Sequence, residues 1–336
     1  MSKHCIIIAE AGVNHNGDLE RARQMVRVAR ECGADYVKFQ TAVPELVIST
    51  FAPKAEYQKE TTGSAESQLE MCRAIHLPLS DYAGLAELCR QEGIGFMSTP
   101  FDLVSIDCLA PLNMDYWKIP SGEITNLPYL RKIARRGEKI IMSTGMATLA
   151  EVAEAVDVLE QNGTPRQNVI LLHCTTQYPA PYPSVNLRAM DALRTLGCGG
   201  VGYSDHTRGI EVSVAAAALG ADVIEKHFTL DKNLPGPDHR ASLDPAELKA
   251  LVDSVRNVEQ ALGNGLKDAP AEAERPNIAV ARKSIVAARP IAAGEVLTDE
   301  NITVKRPGNG ISPMLWDSVI GTRAVRDFVA DELISL

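Results

Sequence analysis

Short apolar runs alternate with longer amphipathic segments through the first 265 residues. Such runs, which lack polar alternation, predict strands of a parallel sheet that is covered on both faces. The runs lie at 5–10 (CIIIAE), 36–40 (YVKFQ), 95–100 (GFMSTP), 116–121 (YWKIPS), 140–145 (IIMSTG), 169–174 (VILLHC), 201–206 (VGYSDH) and 223–228 (VIEKHF). Helical periodicity predicts helices between them, for example at 18–32, 81–91, 149–162 and 210–219.

Eight strand–helix units within residues 1–265 predict an α/β fold, a closed (β/α)8 TIM barrel. A doubly wound open sheet is the alternative, but no G-x-G-x-x-G motif follows the first strand. Residues 266–280 are polar and contain two prolines, which predicts a linker. Residues 281–336 contain short β-like pieces and turns, and predict a second domain too small for an extensive core. We expect this domain to pack against its own barrel or a partner chain.

Each predicted strand ends in polar or reactive side chains. In (β/α)8 barrels the active site lies at the carboxyl ends of the strands, so these side chains are expected to share one mouth. They are Glu10, Lys38, Gln40, Ser98, Thr99, Lys118, Ser121, Ser143, Thr144, His173, Cys174, Ser204, Asp205, His206, Glu225, Lys226 and His227.

Two histidines, His206 and His227, end the seventh and eighth predicted strands. Adjacent strands lie about 4.8 Å apart, so both imidazoles can reach one divalent ion. Glu225 shares the face of His227 and could be a third ligand or could orient a histidine. Nitrogen and oxygen ligands do not select sharply among Mn, Co, Zn and Mg. The alternative is a hydrogen-bonded pair of histidines without metal.

Two lysines, Lys38 and Lys118, lie inside apolar strands, where an ammonium group is costly unless an anion neutralises it. Hydroxyl groups end other strands around the same mouth: Ser121, Ser143 and Ser204. Together they predict a site for a phosphate and a carboxylate. The alternative is that the lysines pair with Glu10, Glu123 or Asp205. Glu10 could also serve as a general base.

Charge and composition exclude several classes of function. The net charge is −9, and no basic stripe suggests binding to nucleic acid. No stretch of about 18 apolar residues predicts a membrane span. The seven cysteines are scattered without a CxxC motif, which predicts reduced thiols and a cytoplasmic protein.

Several motifs together resemble the bacterial N-acetylneuraminate (sialic acid) synthases and their relatives that make legionaminic and pseudaminic acids. They are AEAGVNHNGD, YVKFQT, STPFD, WKIPSGE, STGMAT, YSDHT and IEKHFTLDKNLPGPDH. The tail, from RKSIVAARP to PGNGIS, resembles the antifreeze-like (SAF, β-clip) domain of that family. The resemblance spans essentially the whole chain.

The resemblance implies condensation of phosphoenolpyruvate with an N-acetylmannosamine-type aldehyde and release of phosphate. It implies that His206 and His227 hold Mn²⁺, with Mg²⁺ or Co²⁺ possible, and that Glu10 is the acid/base residue. The implied phosphoenolpyruvate-binding residues are Lys38, Thr99, Lys118, Ser121, Ser143, Thr176 and Ser204. The implied sugar-binding residues are Gln40, Tyr178, Asp238 and Arg306.

The resemblance also implies a domain-swapped homodimer, in which Arg306 enters the barrel of the partner. It leaves the sugar open. Thr176 within CTTQYPAP resembles legionaminate synthases, because some sialic acid synthases have Asn at that position. In contrast, APKAEYQ at 52–58 and SQLEM at 67–71 resemble sialic acid synthases. The expected product is N-acetylneuraminate, and the alternative is N,N'-diacetyllegionaminate, made from 2,4-diacetamido-2,4,6-trideoxymannose.

Two rival functions fit the same residues. A Schiff-base aldolase would use Lys38 or Lys118 as a carbonyl nucleophile. A non-catalytic sugar- or anion-binding barrel would bind ligand without turnover, but the histidine pair and the reactive strand ends argue against it.

Overall fold

A computed structural model describes residues 4–53 and 67–336. It divides into two units, Met1–Asn264 and Gly265–Leu336. The positions of APKAEYQ after residue 53 lie outside the described residues, so the interpretation of that motif is not tested structurally.

The described part of the first unit contains eight parallel strands. They are β1 (Ile6–Gly12), β2 (Tyr36–Thr41), β3 (Gly95–Pro100), β4 (Trp117–Ile119), β5 (Ile140–Ser143), β6 (Val169–Cys174), β7 (Gly200–Asp205) and β8 (Val223–His227). Their order is β3-β2-β1-β8-β7-β6-β5-β4, and β4 packs beside β3 to close the ring. The predicted (β/α)8 barrel is therefore confirmed, and the open-sheet alternative is wrong because the order follows the chain around a cylinder.

Helices surround these strands. They are α1 (Leu19–Glu31), α2 (Pro44–Val47), α3 (Gln68–Ile75), α4 (Tyr82–Glu92), α5 (Leu103–Leu109), α6 (Leu127–Ala134), α7 (Leu149–Gln161), α8 (Ala189–Arg194), α9 (Glu211–Ala218) and α10 (Pro245–Ala261). Local sequence sets several helix starts: Thr148 and Asp244 each form a capping box with the glutamate three positions later. None of the described helices is long and apolar enough to cross a membrane.

Strand alternation separates the barrel interior from the helix layer. On β1, Ile7 and Ala9 pack in the outer core, whereas Ile8 points inward. Inward apolar residues from five strands form one interior cluster: Ile8, Met97, Ile141, Leu172 and Val223. Two positions further along their strands, the inward residues are Glu10, Thr99, Ser143, Cys174 and Glu225. The apolar cluster therefore floors the barrel, and the polar ring above it opens at the carboxyl ends.

The second unit has its own small core. Strands β9 (Ser284–Ala287) and β10 (Ile302–Lys305) pair antiparallel, and the buried core includes Ile285, Leu297 and Phe328. The same unit contains helices α11 (Arg275–Ala281) and α12 (Trp316–Val319). The stretch 266–280, predicted as a linker, thus contains most of a short helix, because Pro276 is tolerated in a first helical turn.

Candidate active site

A cavity of about 190 Å³ lies at the carboxyl ends of the barrel strands. Residues from β1, β2, β3, β4, β8 and the loops after β3 to β7 line it. They are Glu10, Lys38, Gln40, Thr99, Phe101, Lys118, Pro120, Ser121, Gly122, Met146, Thr176, Tyr178, His206, Glu225 and His227. The structure thus brings most of the sequence-predicted site residues to one opening.

Four buried charges occupy the floor of this cavity. Nζ of Lys38 lies 2.9 Å from Oε2 of Glu10 and 3.5 Å from Oε1 of Glu225. Nζ of Lys118 lies 3.9 Å from the same Oε1 of Glu225. All four side chains are at most 7% exposed. The ion pair between Lys38 and Glu10, one of the alternatives drawn from the sequence, is present, and Glu225 lies between the two lysines.

These charges perturb one another. Burial raises the pKa of Glu10 to about 7, although Lys38 opposes this shift. Burial would raise the pKa of Glu225 too, but Lys118 and Lys38 together lower it. Burial lowers the pKa of Lys118, whereas the two carboxylates raise that of Lys38 against its own burial. Glu10 is therefore the carboxyl group in the cavity that can hold or release a proton near neutral pH.

Hydroxyl groups hold the charged side chains in place. Lys38 Nζ donates to Thr99 Oγ1 at 3.0 Å, and Lys118 Nζ donates to Ser143 Oγ at 2.5 Å. Ser204 Oγ donates to Glu225 Oε1 at 3.3 Å. Ser143 and Ser204 thus reach the site through the charges they orient.

The turn after β5 brings backbone close to the cavity. The N–H of Gly145 donates to Ser121 Oγ at 2.9 Å. A Cβ at position 145 would overlap the hydroxyl of Thr176 and crowd that of Ser121, so a larger residue there would displace these side chains. Cys174 lies 3.3 Å from Ser121 Oγ, and burial raises the pKa of its thiol, as expected for a packed thiol.

The two predicted metal-binding histidines lie side by side at the mouth, after the neighbouring strands β7 and β8. Their ring centroids are 5.6 Å apart, and Tyr178 lies against both rings, 4.1 Å from that of His206 and 5.7 Å from that of His227. His206 Nδ1 lies 2.7 Å from the carbonyl of Thr175, an arrangement that assigns the proton to Nδ1 and the lone pair to Nε2.

The donor set fits one divalent cation in part. Nδ1 of His227 is buried and has no partner in residues 4–53 and 67–336. Burial lowers the pKa of both histidines, so both rings are neutral and able to donate a lone pair. Within that same part of the chain, no cluster of three or more His, Cys, Asp or Glu side chains is arranged to hold a metal. Two imidazoles would therefore need ligands from water or substrate.

A second cavity of about 260 Å³ adjoins the first and shares Gln40, Phe101, Thr176, Tyr178 and His227 with it. Its further wall is largely apolar and comes from α3: Met71, Cys72 and Ile75. Asp238 lines its rim, and burial raises the pKa of that carboxyl to about 6. Gln40 donates to Glu10 Oε1 at 3.0 Å, which links the two cavities.

The roles inferred from sequence for Arg306 and Glu225 have different outcomes. Arg306 belongs to the second unit, where its Nε donates to the carbonyl of Ala281, so its placement at a sugar stays a prediction. Glu225 was inferred from sequence as a possible ligand or orienting group, yet it lies between two lysines. The period-two spacing to His227 predicted its face but not its partners.

Comparison with known proteins shows two family matches. Residues 25–267 match the model of the NeuB family, and residues 282–336 match that of the SAF domain. The second match agrees with the antifreeze-like tail expected from sequence.

Individual relatives cover nearly the full chain. The chain is 53% identical to an N,N'-diacetyllegionaminic acid synthase of Campylobacter jejuni, over 99% of each chain. It is 48% identical to the enzyme of the same description from Legionella pneumophila, over 96% of this chain and 91% of that one. A crystal structure of an N-acetylneuraminic acid synthetase from Leptospira borgpetersenii superposes with a TM-score of 0.70 at 32% identity, covering 82% and 91% of the two chains.

Proposed function

This chain belongs to the NeuB family, and we propose that it condenses phosphoenolpyruvate with 2,4-diacetamido-2,4,6-trideoxymannose to give N,N'-diacetyllegionaminate and phosphate. One observation supports this class of reaction above all. A single opening holds two buried lysines, a carboxyl group with a raised pKa and two neighbouring imidazoles.

Two observations support the choice of sugar. Both legionaminate synthases described above resemble the chain over more than nine tenths of its length. In addition, the second cavity presents Met71, Ile75 and Phe101, which suit the methyl groups of a 6-deoxy, diacylated sugar. This proposal replaces N-acetylmannosamine, the first expectation from sequence, with the alternative that the sequence had left open.

The lysines would bind phosphoenolpyruvate. Its phosphate and carboxylate would lie against Lys38 and Lys118, with Thr99, Ser121, Ser143, Thr176 and Ser204 oriented around them. The added negative charge would raise the pKa of Glu10 further and keep that carboxyl protonated. Glu10 could then give its proton to the aldehyde oxygen of the sugar, which lies in the adjoining cavity beside Gln40, Tyr178 and Asp238.

His206 and His227 would hold the divalent cation, for which manganese is our choice and magnesium or cobalt the alternatives. When bound, such an ion polarises the sugar aldehyde as a Lewis acid. Hydrogen bonding of His206 to Thr175 keeps its Nε2 lone pair free for this purpose.

The reaction balances as two additions and one elimination. The methylene carbon of phosphoenolpyruvate attacks the aldehyde carbon, which forms the new carbon–carbon bond and leaves a cationic centre at carbon 2. Water adds there, and the resulting tetrahedral intermediate loses inorganic phosphate. The buried walls around Lys118 and Glu225 limit access of bulk water to this centre.

We also propose that the working form is a domain-swapped homodimer, with Arg306 of one chain completing the sugar site of the other. Support comes from the SAF match and from the full-length similarity to the synthases.

A phosphate-release assay tests the proposal. We expect 2,4-diacetamido-2,4,6-trideoxymannose to give the highest kcat/KM, at least about tenfold above N-acetylmannosamine and its 6-phosphate, because an apolar pocket favours the methylated sugar. Faster use of N-acetylmannosamine would contradict the sugar assignment and leave the reaction class intact. No release with any of the three would contradict both.

Chelation tests the cation. Exhaustive treatment with EDTA should abolish phosphate release, and added Mn²⁺ should restore it. Full activity after chelation would remove the metal from the proposal. Borohydride added with pyruvate should leave the mass of the protein unchanged, whereas a covalent pyruvate adduct on Lys38 or Lys118 would favour the aldolase.

A further inference from the structure

Two loops at the barrel mouth are joined by buried hydrogen bonds. The first, residues 13–18, follows the strand that carries Glu10. The second, residues 228–242, follows the strand that carries His227 and contains Asp238. The backbone N–H of Phe228 also donates to the carbonyl of Glu10 at 2.9 Å, so the two loops leave the barrel from one fixed point.

Asn14 is the main link between these loops. Its side chain is 1% exposed, and Nδ2 donates both to the carbonyl of Phe228 at 2.8 Å and to Oγ of Ser242 at 2.9 Å. Ser242 Oγ in turn donates to the carbonyl of Asp238 at 2.7 Å. Asn14 is thus separated from the backbone of Asp238 by one hydroxyl group.

A second link runs in parallel. Asn16 Nδ2 donates to the carbonyl of Pro235 at 2.7 Å, and Asn16 Oδ1 lies 3.2 Å from Nε2 of His239. The other ring nitrogen of His239 lies 2.7 Å from Thr229 Oγ1, and His239 is fully buried. The residues on both sides of Asp238 are therefore tied to the first loop or to the end of β8.

Asp238 lies within this hydrogen-bonded segment. Burial raises the pKa of its carboxyl group. Asp238 lines the second cavity together with Gln40, Tyr178 and His227. A buried carboxyl group that must meet a sugar hydroxyl gains from a backbone that cannot shift, because misplacement by about 1 Å can cost up to about 100-fold in rate.

We propose that Asn14 and Ser242 are positioning residues for sugar binding, which hold the backbone of Asp238 at the rim of the second cavity. The inference rests on the proposed function, in which Asp238 contacts the sugar. Neither residue reaches the phosphoenolpyruvate pocket, so the two substrates should respond differently when the link is cut.

Kinetics of two variants provide the first test. Asn14→Ala and Ser242→Ala should raise KM for 2,4-diacetamido-2,4,6-trideoxymannose about tenfold while KM for phosphoenolpyruvate stays within about twofold. Ser242→Thr keeps the hydroxyl and should behave like the wild type. Asn233→Ala, on the exposed part of the same loop, is the matched control. Equal rises in both KM values would overturn the inference.

A double-mutant comparison asks whether the effect runs through Asp238. In an Asp238→Asn background, Asn14→Ala should add no more than about twofold to KM for the sugar, because the oriented carboxylate is already lost. Fully additive effects would contradict a positioning role.

Hydrogen exchange tests the link without turnover. Amides of residues 228–243 should exchange at least about tenfold faster in Ser242→Ala, and in Asn14→Ala if that variant folds, than in the wild type or Asn233→Ala. Unchanged exchange overturns the inference even if no sugar is consumed. A wild type that consumes no sugar contradicts the proposed function alone, since the exchange result still decides whether the link exists.

Discussion

The charges of Lys38, Lys118, Glu10 and Glu225 nearly compensate one another in the free site, and this sets how it can accept an anion. Two ammonium groups face one carboxylate with a lowered pKa and one carboxyl group whose pKa is about 7. Protonation of Glu10 leaves an excess of positive charge for phosphoenolpyruvate. We therefore expect the site to take up one proton when it binds this anion.

Loss of one lysine should weaken the anion site selectively. Lys118→Met keeps most of the side-chain volume but removes a buried donor, and a charge-assisted hydrogen bond contributes about 1.5–3 kcal/mol. We expect kcat/KM for phosphoenolpyruvate to fall at least about 10-fold. Lys139→Met, at the exposed amino end of the neighbouring strand, should stay within about twofold of wild type. Equal losses in the two variants in a phosphate-release assay would contradict the assignment.

Asp238 gives a prediction for stability. Its folded pKa is about 6 against an ordinary value of 3.8, so the fold favours the protonated form. The contribution of Asp238 to the stability of the wild type should therefore fall as pH rises from about 4 to about 6, by up to roughly 3 kcal/mol. Asp238→Asn should lack this fall, equal the wild type near pH 4 and melt several degrees higher at pH 8. Parallel melting curves across that pH range would contradict the prediction.

The sequence predicted where the site residues lie better than it predicted which residues they contact. The alternation along β8 predicted that Glu225 and His227 share a face, but not that Glu225 would lie between Lys38 and Lys118. The link from Asn14 to Ser242 joins positions 228 residues apart, and no local pattern encodes such a distance. Burial of Asp238 also depends on tertiary packing, which gives it no sequence signature.

At the scale of elements, the eight apolar runs predicted the strands closely. The exceptions have local causes. The run at 116–121 yields only Trp117–Ile119, because Pro120 lacks the N–H that would extend the ladder. The run at 140–145 stops at Ser143, since the chain turns there through Gly145 and Met146, whose φ is +62°. The contribution of α3 to the second cavity could not be predicted, because the sequence of a helix does not show against which part of the barrel it packs.

One arginine links several elements at the amino end of the barrel. Arg256 on α10 donates to the carbonyl of Cys5 at 2.8 Å, to Glu259 at 2.7 Å and to Asp35 at 2.7 Å. Asp35 also accepts from the N–H of Ile7. The last helix of the barrel is thereby tied to the first two strands, at the end opposite the active site.

Arg256→Ala should lower the stability of the barrel without lowering the catalytic rate. The arginine is about three quarters buried, so its loss should cost about 1–3 kcal/mol and lower Tm by several degrees. The control Lys249→Ala removes an exposed pair on the same helix and should shift Tm by about 1 °C or less. Activity of both variants at 25 °C should match wild type. An unchanged Tm for Arg256→Ala in a thermal melt would contradict the claim that the contacts of Arg256 stabilise the barrel.

At the scale of the whole molecule, the proposed exchange of Arg306 makes two chains one catalytic unit. Mixing Arg306→Ala with Glu10→Ala subunits tests it. A swapped heterodimer contains one intact site, so a randomised equal mixture should recover about a quarter of wild-type activity. Each parent alone should remain nearly inactive with sugar. No recovery in heterodimers verified by mass would contradict the swap.

The origin of the phosphate oxygen tests the central claim most directly. Phosphoenolpyruvate with ¹⁸O in the bridge between carbon 2 and phosphorus is incubated with the protein and 2,4-diacetamido-2,4,6-trideoxymannose, and the released phosphate is analysed by mass spectrometry. The account predicts release that depends on the sugar, with the ¹⁸O retained in phosphate, because water adds at carbon 2. Label that stays with the organic product, or release that is independent of the sugar, would contradict it.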